Sequence, residues 1–314
     1  MKKTIVLFLA TALLFVLSFC LSSCDKPNEK KENNKETEGP FYYSHVCIIG
    51  IDGGGNFFNE TNTPNICKLF SKGATAYDAS AEYPSSSTQN WMSILHGVAA
   101  DVHNINGNPI DSSYPYPSVF NVVRQADKDA NLCCIVNGDP IYTEMVEQDI
   151  GVIEDRAEDD LVVTRKVIAA LNSYFPEIMF IQFDHLDGVG HGHGYGPNNP
   201  SYVKYQKVLD DYVDRILTAY DDAGIFDDTL FILTTDHGGT FYYENEGTQS
   251  TGSHGGDSPE EMTVFLGVYG KTVANITMEN MKNRDVAAIA IAALGLEIPE
   301  IWTSRVPEGL FTDR

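Results

Sequence analysis

Apolar positions along the chain fall into short unbroken runs that alternate with stretches of three- and four-residue periodicity. Residues 45–51 form a β-rich run that stops abruptly at Asp52-Gly53-Gly54-Gly55. A helix is predicted over 64–72 with Thr63 as its cap, and another over 87–95 that stops at Gly97. Helix 119–128 leads into strand 132–136, and helix 160–174 into strand 178–183. Tyr202, Tyr205, Leu209, Tyr212, Ile216 and Tyr220 then recur on one side of a long helix, a stripe that reads as core packing. Strand 229–235, strand 262–269 and a closing helix over 285–294 complete the pattern. Repeated strand–helix alternation predicts an α/β fold: a doubly wound, mostly parallel sheet with helices on both faces. No internal repeat or interior linker divides 41–314, which is therefore expected to be a single domain.

The first forty residues carry a different pattern. Lys2 and Lys3 precede an apolar run over 5–21, the layout of a secretory signal peptide; an uncleaved anchor is the alternative. Leu21-Ser22-Ser23-Cys24 resembles the lipobox of bacterial lipoproteins, which implies removal of 1–23 and a lipid on Cys24. The Lys-, Glu- and Asn-rich stretch that follows, to residue 40, cannot bury enough surface to fold and is expected to be a disordered tether. The location this implies is the bacterial cell envelope, lipid-anchored, periplasmic or surface-exposed. Of the other cysteines, Cys47, Cys133 and Cys134 lie in apolar runs. With Cys67 they suit free thiols better than a disulfide framework, although a bridge from Cys47 to Cys133 or Cys134 stays open.

Charge narrows the function. The 314 residues hold 44 Asp and Glu against 21 Lys and Arg, a formal net charge of −23. A stable nucleic-acid partner, gripped through a general basic surface, is excluded on that ground. Some carboxylates, such as Asp210, Asp211 and Asp214 on the long helix, read as a solvated face. Others end predicted strands: Asp52, Asp184 with Asp187, and Asp236. A single strand-ending Asp usually caps a turn. Three converge at the carboxyl edge of a parallel sheet, where functional crevices lie, and crowded carboxylates call for a bound cation. Histidines accompany them: His191 four residues after Asp187, His237 beside Asp236, and His254 in a loop of small residues. Mixed His/Asp ligation suits zinc, with manganese as the alternative. Singly each His is more often a surface or core residue; jointly they describe a site, and the many glycines would let the backbone turn and keep it open.

In this order the motifs resemble the alkaline phosphatase superfamily, and within it the type I phosphodiesterase/nucleotide pyrophosphatase branch. They are Asp52-Gly53, a Ser/Thr segment, Asp187-x-x-x-His191, Asp236-His237-Gly238 and Gly252-Ser253-His254-Gly255. The resemblance implies two divalent metal ions, one held by Asp187, His191 and His254. Asp52, Asp236 and His237 would hold the other, together with the oxygen of Ser87. The branch's nucleophile motif falls on Pro84-Ser85-Ser86-Ser87-Thr88-Gln89-Asn90, which puts Ser87 at the nucleophile, Thr88 as its rival, and Asn90 at the motif's Asn. Ser stands where the branch has Thr, and Gln89 where it has a second Pro. The phosphate-binding Asn matches Asn108, with Asn106 as the fallback. Asp184 and His185 are expected to orient ligands, and His193 to support them or be a loop residue, with a stand-in ligand as the alternative. Tyr114 and Tyr116 are expected to stack on a leaving group or simply to pack.

The implied activity is hydrolysis of a small phosphate ester through a phosphoryl-enzyme on Ser87. No Arg stands in 85–90 to clamp a second phosphate charge, which favours diesters, and no sulfatase motif surrounds the nucleophile. The alternatives are a phosphomonoesterase, a phosphonate hydrolase, or a non-catalytic binding lipoprotein on the same fold.

Overall fold

Every residue from Val46 to Ile51 is buried, which makes β1 (His45–Ile51) a central strand covered on both faces. The computed structural model describes residues 42–105, 108–244 and 249–312. The predicted leader, tether and Cys24, and also Asn106, lie outside the described residues.

After β1 come α1 (Pro64–Phe70), β2 (Ala74–Ser80), α2 (Ser87–His96), α3 (Ala100–His103), α4 (Val119–Ala126) and β3 (Leu132–Val136). Next are α5 (Asp139–Glu144), β4 (Ile153–Arg156), α6 (Asp160–Tyr174), β5 (Ile178–Phe183), α7 (His185–His193), α8 (Pro200–Asp222) and β6 (Thr229–Thr235). The hairpin β7 (Tyr242–Glu244) and β8 (Gln249–Thr251) precedes α9 (Pro259–Met262), β9 (Thr263–Tyr269) and α10 (Asp285–Ala293). Seven strands form one sheet in the order β2-β9-β6-β1-β5-β3-β4. Only β9 runs against its neighbours, so the sheet is mostly parallel.

The alternation of β1 sorts the helices. Val46 and Ile48 join the core containing Trp91, Phe120 and Ile289, which covers one face with α2, α4 and α10. Cys47, Ile49 and Ile51 join the other core, with Phe70, Val167 and Leu209 of α1, α6 and α8. The tyrosine stripe of α8 lies in this second core, Tyr202 and Tyr220 fully buried. Cys47 and Cys133 both pair across β5 with Met179, so a whole strand lies between them. The two strands are then roughly 9–10 Å apart, too far for a disulfide. All four described cysteines are free.

Two sequence expectations fail for one reason. Thr63 precedes α1 but makes no side-chain cap bond; its hydroxyl donates to the Asn59 carbonyl. The cap comes instead from Asp210 of α8, whose carboxylate accepts from the amides of Asn65 at 3.1 Å and Ile66 at 2.9 Å. Asp210 is therefore 3% exposed and not part of a solvated face. Strands β2 and β4 also escaped the reading, because edge strands rich in Ala or in charge lack a continuous apolar run.

Gly50 lets the helical layer close on β1: a methyl group there would come within 2.5 Å of the Trp91 ring. Gly50→Ala is expected to cost about 1–3 kcal/mol through overpacking. Gly188→Ala, at an exposed helical position with open space around it, is expected to add about 0.5–1 kcal/mol. Urea unfolding of the two variants checks both signs.

Candidate metal centre and nucleophile

Strand order assembles the site. β6, β1 and β5 are adjacent, and Ile51 registers with Phe183 on one side and Thr235 on the other. Asp52, Asp184 and Asp236, the residues that follow, therefore leave the sheet at one level and on one edge. Asp184 and Asp236, 132 and 184 positions from Asp52 in sequence, become its neighbours through backbone pairing alone.

Asp52 is buried and fully engaged: it accepts from Trp91 Nε1 at 2.8 Å, Gln182 Nε2 at 3.1 Å and Ser87 Oγ at 3.3 Å. Asp236 Oδ1 accepts from the amides of Gly53 and His237, whereas its buried Oδ2 has no hydrogen-bond partner. That oxygen lies 3.3 Å from His237 Nε2. The other ring nitrogen of His237 donates to the Gly238 carbonyl at 2.7 Å, which fixes the tautomer and leaves Nε2 with a free lone pair. Ser87 Oγ stands 3.1 Å from this Nε2.

A second group lies at the mouth. Asp187 Oδ2 is 3.3 Å from His191 Nε2, an i,i+4 pair on α7. His254 reaches in from its loop with Nδ1 on the Ser85 carbonyl at 2.8 Å, so its Nε2 too is aimed inward, 3.1 Å from His191 Nε2. The rings of His237 and His254 stack at 3.8 Å, which places the two groups side by side. Ligand atoms of Asp187, His191 and His254 lie within 4.8 Å of one another, as do those of Asp52, Asp187 and His237. Asp187 thus faces both groups, which the sequence reading gave to one alone.

The electrostatics are strained without a cation. Burial, then the charges of Asp236 and Asp187, push the Asp52 carboxyl well above the usual range. Burial and the Asp187 charge push Asp236 up to about 7. Burial holds His237 and His254 below the ordinary imidazole value, so both present lone pairs. Burial also works against the Asp187 carboxylate, but His191, His237, Tyr195 and His254 outweigh it and lower its pKa.

Ser87 is the first residue of α2, whose preceding residue, Ser86, supplies no side-chain cap. Ser87 therefore stands in the first turn, at the positive end of the helix. Asn90 holds the approach to it: its amide donates to the carbonyls of Glu82, Pro84 and Ser86, and its oxygen accepts from the Glu82 amide. Ser85 ties this loop to the His254 loop, bonding the Gly256 carbonyl and the Gly255 amide. Thr88 lines the same cavity, about 190 Å³, with Asp52, Ser87, Trp91, Ile141, Met145 and Asp184, but the hydroxyl that meets Asp52 and His237 is that of Ser87.

Asn108 is exposed and lines a separate cavity of about 420 Å³ with Ile105 and Tyr114. Tyr114 and Tyr116 pack edge to face against each other and onto the core. His193 is exposed at the end of α7, turned away from the Asp187–His191 face by helical spacing. His185 lies against the Tyr205 ring. Asp184 lines the cavity and accepts from Gln182.

Helix α7 itself was not anticipated, since three of its nine residues are glycine. Asp160, buried at the start of α6, caps it by accepting from the amides of Asp184 at 3.1 Å and His185 at 3.3 Å. Gln182 was also missed: its Nε2 spans Asp52 and Asp184, and its Oε1 takes the amides of Asn137 and Gly138. Tyr195 donates to Asp187 Oδ1 at 2.7 Å; burial and that charge keep its phenol protonated. None of these has a local sequence signal, because each acts across the sheet edge.

Residues 46–158 and 153–250 match the sequence model of the family described as type I phosphodiesterase / nucleotide pyrophosphatase. GPI ethanolamine phosphate transferase 2 of Yarrowia lipolytica is 25% identical over 274 residues, covering 83% of this chain and 30% of its own length. The human GPI ethanolamine phosphate transferase 2, catalytic subunit, is 26% identical over 300 residues, covering 88% and 29%. The chain thus spans less than a third of the length of these relatives. Among solved structures, murine ectonucleotide pyrophosphatase / phosphodiesterase 5 superposes with a TM-score of 0.67 at 14% identity, over 82% of this chain and 97% of that one. The human counterpart gives 0.66 at 12% identity, over 81% and 96%. This likeness establishes an alkaline phosphatase-like fold. With the matched segments covering most of the described domain, the chain belongs to the type I phosphodiesterase / nucleotide pyrophosphatase family.

Proposed function

We propose that the chain cleaves a small phosphodiester with Ser87 as nucleophile and two divalent cations. The observation that carries this is Ser87 Oγ at the start of α2, within 3.1 Å of His237 Nε2 and 3.3 Å of Asp52 Oδ1. The residues fit the cations: a buried Asp236 oxygen without a partner, inward lone pairs on His237 and His254, and carboxylates too crowded to be ionised together. Asp187, His191 and His254 would hold one ion, and Asp52, Asp236 and His237 the other, with zinc the best match and manganese the alternative. Bound there, the ions would lower the pKa of the Ser87 hydroxyl and offset charge on the phosphate and leaving oxygen.

The chain's own residues do the positioning. The Ser87 oxygen forms a bond to phosphorus in line with the departing ester oxygen, which leaves with the bonding electron pair. The start of α2 has no side-chain cap, and a helix N-terminus favours added negative charge there. The cavity beside Ser87 has no Lys or Arg among its lining residues and presents Asp184, Ile141 and Met145. It therefore suits a neutral or cationic ester group over the second charge of a monoester. At about 190 Å³ it is smaller than the roughly 300–1,000 Å³ of sites that enclose a drug-sized ligand. The curated relatives are named ethanolamine phosphate transferases, and an aminoalkyl group has this size and charge. Those names also favour a second reading, in which an alcohol instead of water releases the Ser87 ester.

Three expected outcomes follow from the site. Bis-p-nitrophenyl phosphate should turn over faster than p-nitrophenyl phosphate, with activity abolished by chelator and restored by Zn²⁺ or Mn²⁺. Ser87→Ala should lower kcat by about 10³-fold or more, and Thr88→Ala by far less. Reversed effects would transfer the role to Thr88, and no turnover of either ester would leave a binding protein. Adding ethanolamine as acceptor and separating the products distinguishes transfer from hydrolysis.

Metal-free protein should lose stability as pH rises. Asp236 keeps its proton up to about 7 when folded, against an ordinary value of 3.8, so the unfolded chain releases that proton first and is favoured between those values. Zn²⁺ should raise Tm at neutral pH and flatten this dependence, which thermal melts across the range can read.

The N-terminal motif supports a lipid anchor at Cys24 in the cell envelope. Cys24→Ser is expected to shift the expressed full chain from the membrane to the soluble fraction.

A further inference from the structure

Glycines flank the proposed ligands on three separate segments: Gly190 before His191, Gly239 two residues after His237, and Gly252 two before His254. A methyl group at Gly190 would come within 2.3 Å of the Tyr195 ring, and one at Gly239 or Gly252 within 2.5 Å. Three ligand-bearing segments, from α7, from the loop after β6 and from the loop after β8, thus close on one aromatic ring, Gly190 nearest its Cε1 and Gly239 and Gly252 nearest its Cδ2. Backbone bonds stitch them there: Tyr195 N to the Thr240 carbonyl, Thr240 N to the Ser253 carbonyl, and Gly252 N to the His191 carbonyl. The ring is 2% exposed and lies edge-on to both His191, at 5.8 Å between centroids, and His254, at 6.2 Å. Its hydroxyl donates to Asp187 Oδ1 at 2.7 Å, whereas Oδ2 is the oxygen nearest His191.

We infer that Tyr195 is the positioning residue of the centre, a hub that sets the spacing of its ligand segments and orients Asp187 between the two groups. The inference rests on the reading of the Asp/His cluster as a metal centre. The hub explains why these positions hold glycine: the missing side chains make room for a large ring. It also gives the hydroxyl a separate task. With Oδ1 held by the phenol, Asp187 is kept from rotating, and its remaining lone pairs stay directed at the cluster.

Two kinds of variant separate the ring from the hydroxyl. Tyr195→Phe keeps the ring, so the metal-free Tm should stay near that of the parent. Zn²⁺ affinity, measured on chelator-treated full chain by competition with a chromophoric chelator, should fall by about 10–100-fold, the usual effect of losing a ligand's hydrogen-bond partner. The accompanying loss of diesterase activity should be in kcat and should recover as Zn²⁺ is raised. Gly190→Ala would ordinarily favour a helix, but here it should lower both Tm and Zn²⁺ affinity. In a Tyr195→Ala background that penalty should disappear, because the obstructing ring is gone. Tyr195→Phe with parental Zn²⁺ affinity, or a Gly190→Ala penalty unchanged without the ring, overturns the inference. A parent protein that takes up no Zn²⁺ or Mn²⁺ overturns the reading of the centre itself, and the hub with it.

Discussion

The structure turns on a conflict of charge at one edge of the sheet. Asp52 and Asp187 bring oxygens within 4.8 Å of one another beside His237. At an effective dielectric near 20 two unit charges at that distance repel by about 3 kcal/mol, before the cost of burying them. Asp236 adds a third carboxylate with an oxygen that has no partner. Hydrogen bonds from Trp91, Gln182, Tyr195 and the backbone amides of Gly53 and His237 are directed at these groups, yet the pKa values of Asp52 and Asp236 stay raised. Such an arrangement is stable in its ionised form only with positive charge in its midst.

That requirement accounts for the shape of the surroundings. Strands β6, β1 and β5 are rigid and paired in register, so their ends hold like charges together against repulsion. Helices α1 and α7 begin on buried carboxylates from neighbouring helices, Asp210 and Asp160, so the layers lock to one another by capping as well as by apolar contact. The loop that carries Ser87 is held by Asn90 and joined to the His254 loop through Ser85. The family relationship and the proposed chemistry describe the same object at two levels: a shared scaffold and the local site it makes possible.

Much of this was readable along the chain. Buried strands β1, β3, β5 and β6 are continuous apolar runs, and α6 and α8 have clear periodicity, so the doubly wound fold follows from pattern alone. The candidates Asp52 and Asp236 were legible because each sits where an apolar run ends, beside glycine or histidine. What pattern missed has a common cause. Edge strands β2 and β4 lack an apolar run, and α7 is too glycine-rich to look helical. Thr63 looked like a cap, and Asp210 like a solvated residue, because a cap supplied across space leaves no local trace.

The sequence by itself determined the class of fold, the identity of the metal-ligand candidates and the acidic balance, because these depend on residue type and on order along the chain. Tertiary structure decided how they act. Strand order made Asp52, Asp187 and Asp236 neighbours, and helix α2 chose the Ser87 hydroxyl over that of Thr88 as the one facing His237. It also turned the glycines from flexible hinges into the walls around Tyr195. Distance and direction between residues far apart in sequence are set by packing, and packing exists only once the layers have closed.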